Sequence, residues 1–355
     1  MRELDEVKAR YSASEAVFVS FLGIPFTIQT NSHDLASKVR SYFSTWLSEN
    51  EAPNSHVIYA FQGNGIYDQN KLLDVSRREG KRIKEAYYDN DDGRVVLKKR
   101  TGATLYIKDG ERYLVGNLVL HLNQLVNVLD EVFEEDFMDR GYLLFHASAV
   151  ADMEGRGILL VSASGAGKST LALALVERGL RFLSNDRVLA RFEDERVHLI
   201  GVPKKPRINP GTILSLSSLN HIISDEERSM YGALDKDELW QLEHKYDADV
   251  EEIFGEGTFT LEAMLSSIYI LNWKLGHAGP KLGITALDEA VKMIRPQVLS
   301  LDLRRRQAAE RLSEAESQLK SICTVAPVFN VTGGVNFSEL TALILRREGF
   351  EHEHR

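Results

Sequence analysis

The chain has 355 residues and is 43% hydrophobic, 27% charged and 8% aromatic, enough apolar material for one to three globular domains with cores of their own. A formal net charge of -9 argues against a nucleic-acid partner, which would call for basic excess, but leaves room for a local basic pocket that holds phosphates. Cys323 is the only cysteine, so an intrachain disulfide or a thiolate metal cluster cannot form, and the thiol is expected to be buried or neutral.

Taken in order, residues 1–140 read as an N-terminal α+β domain. Strands are expected at 16–21, 24–28 and 56–62. Between the second and third, Leu35, Val39, Phe43 and Trp46 recur at helical spacing behind the caps Asn31 and Ser32. The dipeptides Asp92-Gly93, Thr101-Gly102 and Asp109-Gly110 punctuate residues 83–115 as tight turns of an antiparallel sheet. A helix carrying Leu122, Leu125, Val126, Leu129, Val132 and Phe133 on one face follows, with Gly141 as its stop. No basic-then-apolar leader opens the sequence, and its longest apolar runs, at 142–145 and 157–161, are of strand length. A cytoplasmic location without a membrane partner is the expectation.

Residues 141–300 change character to an α/β core. Strands are expected at 142–150 and 157–161, a helix at 169–178 stopped by Gly179, and a further strand at 180–183 ending in Ser184-Asn185-Asp186. A hairpin at 188–192 and 197–202 leads to a proline-bounded basic loop at 203–211. One helix over 239–254, a strand at 268–273 and a helix at 288–294 complete this segment. Residues 301–355 read as a helical segment, a strand and a last helix that finish the core: a charged helix at 304–321, a strand at 325–331, Gly333-Gly334 and a helix at 337–347, with a frayed charged tail at 351–355.

The decisive stretch follows the strand at 157–161: Ser162-Ala163-Ser164-Gly165-Ala166-Gly167-Lys168-Ser169, then Thr170 and the helix. A phosphate loop reads G-x-x-x-x-G-K-[ST]; Gly167, Lys168 and Ser169 match, and Ser162 takes the place of the first glycine, which a negative φ would tolerate. Gly165 and Gly167 let successive N–H groups curl toward phosphate oxygens, and the helix adds its N-terminal dipole. Lys168, read as an exposed charge, meets the outer phosphates, and Ser169 offers a hydroxyl to Mg²⁺. The competing reading is an ordinary Gly/Ser turn; the strand–loop–helix context favours a nucleotide.

Around the loop, Asp186 at the next strand end is a candidate to hold Mg²⁺, against a plain Asn-Asp turn. His146, on the strand before the loop strand, is either a proton-handling group or a packed core histidine. Lys204, Lys205 and Arg207 can neutralise a transferring phosphoryl or form a solvated basic loop, and Asn209 can join them or start a turn. Tyr246, Asp247 and Asp249 offer a substrate face, or only a helix C-terminal turn.

Together His146, the loop 162–169, Glu177-Arg178-Gly179 and Asn185-Asp186 resemble the HPr kinase/phosphorylases, whose core is similar to that of phosphoenolpyruvate carboxykinases. Further stretches look like the subgroup named HPr-kinase-related kinase B. Among them are Arg100-Thr101-Gly102, residues 201–212, Leu239-Trp240, residues 242–247 and Leu271-Asn272-Trp273. The resemblance implies a P-loop kinase that uses ATP and Mg²⁺. Its catalytic residues would be Asp186, His146, Lys168, Asn185, Lys205 and Arg207, and its metal ligands Ser169 and Asp186. In that family two adjacent aspartates stand at the strand end, and the first handles the serine proton; here the first is Asn185. The expected acceptor is therefore a hydroxyl of a small molecule or protein other than HPr. The alternative is a catalytically silent, nucleotide-responsive binding or assembly protein. A homo-oligomer is left open.

Overall fold

The computed structural model describes residues 3–75, 83–91, 93–242, 244–299 and 308–350. They divide into two compact units, Met1–Phe133 and Glu134–Arg355.

In the first unit, alternating burial along Glu15–Phe21 turns Val17, Val19 and Phe21 inward, the period of two that a half-buried strand requires. Phe21 packs against Phe26 and Phe43, with ring centroids 5.4 and 5.3 Å apart. The helix His33–Tyr42 is capped by the Ser32 side chain and buries Leu35, Ala36 and Val39. One sheet of nine strands collects these elements. Its meander Glu85–Asn90, Gly93–Lys98, Thr104–Lys108, Glu111–Gly116 is antiparallel throughout, as the turn dipeptides predict. Asp109 and Gly110 both take positive φ, +47° and +86°, the geometry of a two-residue hairpin turn. Asp92 lies outside the described residues.

The second unit is a mixed sheet with helices on both faces. Across it the strands run Leu143–Phe145, Val188–Glu193, Arg196–Gly201, Glu262–Leu271, Arg156–Val161, Ala147–Ala151, Arg181–Ser184, and Val328–Gly333 pairs with Glu262–Leu271. Successive side chains of one strand enter opposite cores. Ile158 and Leu160 face the helices Lys168–Val176 and Phe337–Glu348 through Leu171, Leu175, Leu340 and Ile344. Leu159 and Val161 face Leu287–Ile294 and Ala308–Val325 through Ala290, Ile294, Leu319 and Ile322. Cys323 is buried in this second core, and burial pushes its thiol up to about 12.

Pairing directions decide where the chemistry collects. Arg156–Val161 is parallel to Glu262–Leu271, which is parallel to Val328–Gly333. Ala147–Ala151 runs antiparallel to both Arg156–Val161 and Arg181–Ser184. One edge of the sheet therefore holds the ends of four strands, at Val161, Ser184, Leu271 and Gly333, and the start of a fifth, at Ala147. Ligands of open α/β sheets bind at such carboxyl ends.

Several expectations need correction. Residues 142–150 are not one strand. The chain breaks at His146: Leu143–Phe145 pairs with Val188–Glu193, while Ala147–Ala151 moves on to pair with the loop strand. The His146 N–H leaves the ladder and donates to the Gln297 carbonyl at 2.7 Å. Nor is 239–254 one helix. Lys236–Gln241 and Val250–Phe254 are separate short helices, and between them Tyr246–Asp247 pairs with Arg207–Ile208. Asp249 caps the second of them by accepting from Glu252 N–H, which fixes a new start rather than a continuation. The basic stretch 203–211 thus holds a strand, and Pro210 opens the helix Pro210–Ser215 at a position where its missing N–H costs nothing. The charged helix runs on through Val325, so the strand expected at 325–331 begins at Val328. Residues 304–307 and the tail 351–355 lie outside the described residues. No described helix is long and apolar enough to cross a membrane.

Candidate phosphate-binding site

The strand Arg156–Val161 ends in the loop 162–167, and the helix Lys168–Val176 begins at once. Gly165 and Gly167 have φ of +86° and +92°, so both sit in the left-handed region that lets neighbouring amides converge on one anion. Ser162 is not among the positive-φ residues, so serine replaces the first glycine without strain. Its side chain is buried, whereas Ala163, Ser164 and Gly165 are exposed and Ala166 is half-buried.

Lys168 is not the exposed charge that the sequence suggests. It is only 6% exposed, and its Nζ lies 3.0 Å from the Ser162 carbonyl, 3.3 Å from Ser162 Oγ and 3.2 Å from the Ala163 carbonyl. Burial lowers its pKa to about 8, against the opposing attraction of Asp186. A fourth neighbour is Nε2 of His146, at 3.1 Å. Nδ1 of the same ring faces the Asp186 carboxylate at 3.0 Å and the Asp186 carbonyl at 3.2 Å. Both are acceptors, so Nδ1 carries the hydrogen and Nε2 presents its lone pair to the lysine. The row Asp186–His146–Lys168 is thus fixed by donor and acceptor chemistry, and both ring nitrogens are engaged.

Asp186 itself adopts φ +73°, a left-handed conformation that aspartate and asparagine tolerate better than most side chains. Its side chain is 62% exposed. The His146 hydrogen bond holds its carboxyl well below the usual carboxylate range, with Lys245 and Arg187 adding to the effect. Lys245 was not singled out from the sequence, since nothing local sets it apart from other exposed lysines. Asn185, half-buried beside it, donates its amide to Ser169 Oγ at 3.3 Å. Ser169 and Asp186 are the two hard-oxygen groups that the sequence puts forward for Mg²⁺, and among the described residues no cluster of three or more His, Cys, Asp or Glu could hold a metal by itself. A magnesium ion commonly keeps several waters and takes one or two protein oxygens alongside substrate phosphates, so this donor set fits one that arrives with a triphosphate.

The remaining predicted residues are placed elsewhere. The Thr170 hydroxyl is turned into the packing and shares a 2.7 Å hydrogen bond with Thr212. Lys205 is paired with Asp249, and Arg207 Nε lies 2.9 Å from Asp247 across the two-stranded ladder. Asn209 precedes Pro210 at the N-cap position, with no side-chain capping bond. Tyr246 hydrogen-bonds Tyr231 and Glu227 at 2.8 and 2.7 Å and stacks on His244.

A glycine loop, a buried lysine and a strand-end aspartate thus meet at one edge of an α/β sheet. Part of the chain is similar in sequence to HPr kinase/phosphorylases. It is 28% identical over 182 residues to the HPr kinase/phosphorylase of Clostridium acetobutylicum, an alignment spanning 51% of this chain and 47% of that protein. It is 41% identical over 73 residues to that of Prosthecochloris aestuarii, and 48% over 52 residues to that of Listeria welshimeri. These alignments span 21% and 15% of this chain, and 19% and 16% of those proteins. The chain therefore spans about half the length of the first of these relatives, about a fifth of the second and about a sixth of the third. The solved structure of the Hpr(Ser) kinase/phosphatase from Coxiella burnetii aligns with 58% of this chain and 95% of that chain, at 14% identity and a TM-score of 0.30. No family model matches.

Proposed function

We propose that the chain is an ATP-dependent phosphotransferase that binds Mg-ATP at residues 162–170 and transfers the terminal phosphoryl to a hydroxyl of a small molecule or a protein other than HPr. The observation that carries this reading is the row Asp186–His146–Lys168 built onto the loop. A turn that only joined a strand to a helix would have no use for a buried cation that leans on a histidine and feels the charge of an exposed carboxylate.

Phosphoryl transfer depends chiefly on positioning and electrostatics. Lys168 and the loop amides take the β- and γ-phosphates. Ser169 and Asp186 would hold Mg²⁺, which would supply positive charge to screen the triphosphate. The acceptor oxygen forms a bond to the γ-phosphorus as the bond from that phosphorus to the β,γ-bridging oxygen breaks, and the nucleoside diphosphate leaves. The hydroxyl proton passes to the Asp186 carboxylate and then to solvent. Because His146 keeps that carboxylate ionised, it is a weak base, suited to a reaction in which the proton leaves late. His146 orients Asp186 and steadies Lys168. Lys205 and Arg207 brace the ladder of Arg207–Ile208 with Tyr246–Asp247 through Asp249 and Asp247.

Asn185 favours a second reading, a nucleotide-responsive binding or assembly protein without turnover, because an amide cannot take a proton. The test is to incubate the protein with Mg-ATP and a panel of hydroxyl-bearing small molecules and protein extracts, and to measure nucleoside diphosphate release beside nucleotide binding. Binding with acceptor-dependent release is the expected result. Binding without release under any condition selects the second reading, and failure to bind overturns both.

A further inference from the structure

Three aromatic side chains from distant parts of the second unit meet at the phosphate loop, and none takes part in the reaction as proposed. Trp273 follows the strand Glu262–Leu271, Phe337 opens the helix Phe337–Glu348, and Trp240 lies on the helix Lys236–Gln241. The first two arrive because their strands run parallel to the loop strand and end on the same edge. Trp273 is only 7% exposed, and its indole N–H donates to the Ala166 carbonyl at 2.8 Å. Phe337 stands edge-on to it, with centroids 5.1 Å apart and planes at 89°. The Phe337 ring also lies close against the loop: a Cβ on Gly167 would be 2.7 Å from it, and 3.8 Å from Trp240.

We infer that Trp273 is a positioning residue of the phosphate loop, backed by Phe337; the inference rests on the nucleotide-binding reading given above. Ala166 sits between the two left-handed glycines, so its peptide groups decide where the loop amides point. A carbonyl facing the anion would repel it. The indole takes that carbonyl, and the amides are left turned to the phosphates before any ligand arrives. Trp273 has no other hydrogen-bond donor on its side chain, so the indole N–H is the whole of the polar tether.

The test uses the full chain and compares wild type with Trp273→Phe, which keeps a ring and loses the donor. Affinities for Mg-ATP and for Mg-tripolyphosphate are measured by calorimetry, and amide hydrogen exchange over 163–169 is followed without ligand. Loss of one hydrogen bond predicts about a tenfold fall in affinity. The expected result is an equal fall for both ligands together with faster loop exchange. Unchanged affinities and exchange overturn the inference. A fall for ATP alone also overturns it, because the ring would then be contacting the nucleobase. If wild type binds neither ligand, the nucleotide reading has failed; faster loop exchange in the variant would still uphold the tether, and equal exchange would overturn it. Should Trp273→Phe not fold, Phe337→Leu takes its place: it releases the packing behind the indole without removing the donor, and unchanged loop exchange in that variant overturns the inference.

Discussion

Nε2 of His146 lies 3.1 Å from Nζ of Lys168, so the cation of the phosphate loop leans on a ring whose other nitrogen is held by Asp186. This single contact joins residues that are 22 positions apart and ties the charge of the loop to the state of the strand-end carboxylate.

Nucleotide binding is expected to take up a proton. In the free protein Lys168 titrates near pH 8 because it is buried. A bound phosphate favours the ammonium and raises that value, so affinity should fall as pH rises through 8, where the phosphates are already fully ionised. The fold itself responds in the opposite sense. The folded value lies below the ordinary 10.5, so the unfolded chain binds more protons between pH 8 and 10.5, and stability contributed by this group rises across that window. Calorimetry at pH 8 in two buffers of different ionisation enthalpy reads the uptake, and identical heats in both would exclude it. Lys168→Ala should bind Mg-ATP at least a hundredfold more weakly while remaining folded, and a folded variant with unchanged affinity would sink the site assignment.

Asp186 should separate chemistry from folding. Its φ of +73° makes asparagine the informative substitution, since asparagine accepts left-handed backbone and alanine would add strain. Asp186→Asn keeps an oxygen for His146 Nδ1 but loses the negative charge. Phosphoryl transfer is expected to fall by more than a hundredfold with a stability change under about 1 kcal/mol. If Asp186 only shapes the turn, activity would persist; measuring turnover and thermal unfolding on the same sample decides it.

Much of this arrangement is legible in the sequence because it is local. The apolar run at 157–161, the glycines at 165 and 167 and the apolar helix after them specify strand, loop and helix from within about twenty residues. What was missed depends on partners far along the chain. Residues 142–150 are almost uniformly apolar, so only the change of neighbouring strand shows that the ladder breaks at His146. Leu239, Leu242, Tyr246 and Ile253 mimic a helical stripe, but the ladder with Arg207–Ile208 takes Tyr246 out of it. The indole of Trp273 reaches Ala166 across 107 positions, and no local pattern announces such a contact. Burial of Lys168 was equally hidden, since the loop motif says nothing of what encloses it.

Gly201 should prove intolerant although its φ is not positive. A Cβ there would lie 2.1 Å from the Leu183 carbonyl oxygen, a backbone atom that cannot swing aside. Gly201→Ala must push the strand Arg181–Ser184 away, and with it Asn185 and Asp186. Overpacking of this kind costs about 1–3 kcal/mol, so the denaturation midpoint should drop and transfer activity should fall with it. An unchanged midpoint would mean that the two strands separate without cost.

Asn185 bears on the acceptor. Its amide donates to Ser169 Oγ, and it can exchange hydrogen bonds but cannot accept the proton of a serine hydroxyl near neutral pH. Neither phosphorylation of HPr nor phosphate-driven dephosphorylation of phosphoserine-HPr is therefore expected from the wild-type chain. Asn185→Asp would set two carboxylates side by side at the strand end. Asp186 is already held ionised by His146, so repulsion falls on the new group and raises its pKa, giving the site a stronger base than Asp186. The same substitution removes the amide donor and leaves an anion beside the Ser169 hydroxyl, which should tighten Mg²⁺ binding. Wild type and Asn185→Asp are to be assayed on HPr and phosphoserine-HPr with ATP, Mg²⁺ and phosphate, together with a magnesium titration of nucleotide binding. The expected outcome is no wild-type turnover of either substrate and a lower magnesium requirement in the variant. Robust wild-type activity on either HPr form would show that a single strand-end aspartate suffices, and that Asn185 does not set the choice of acceptor.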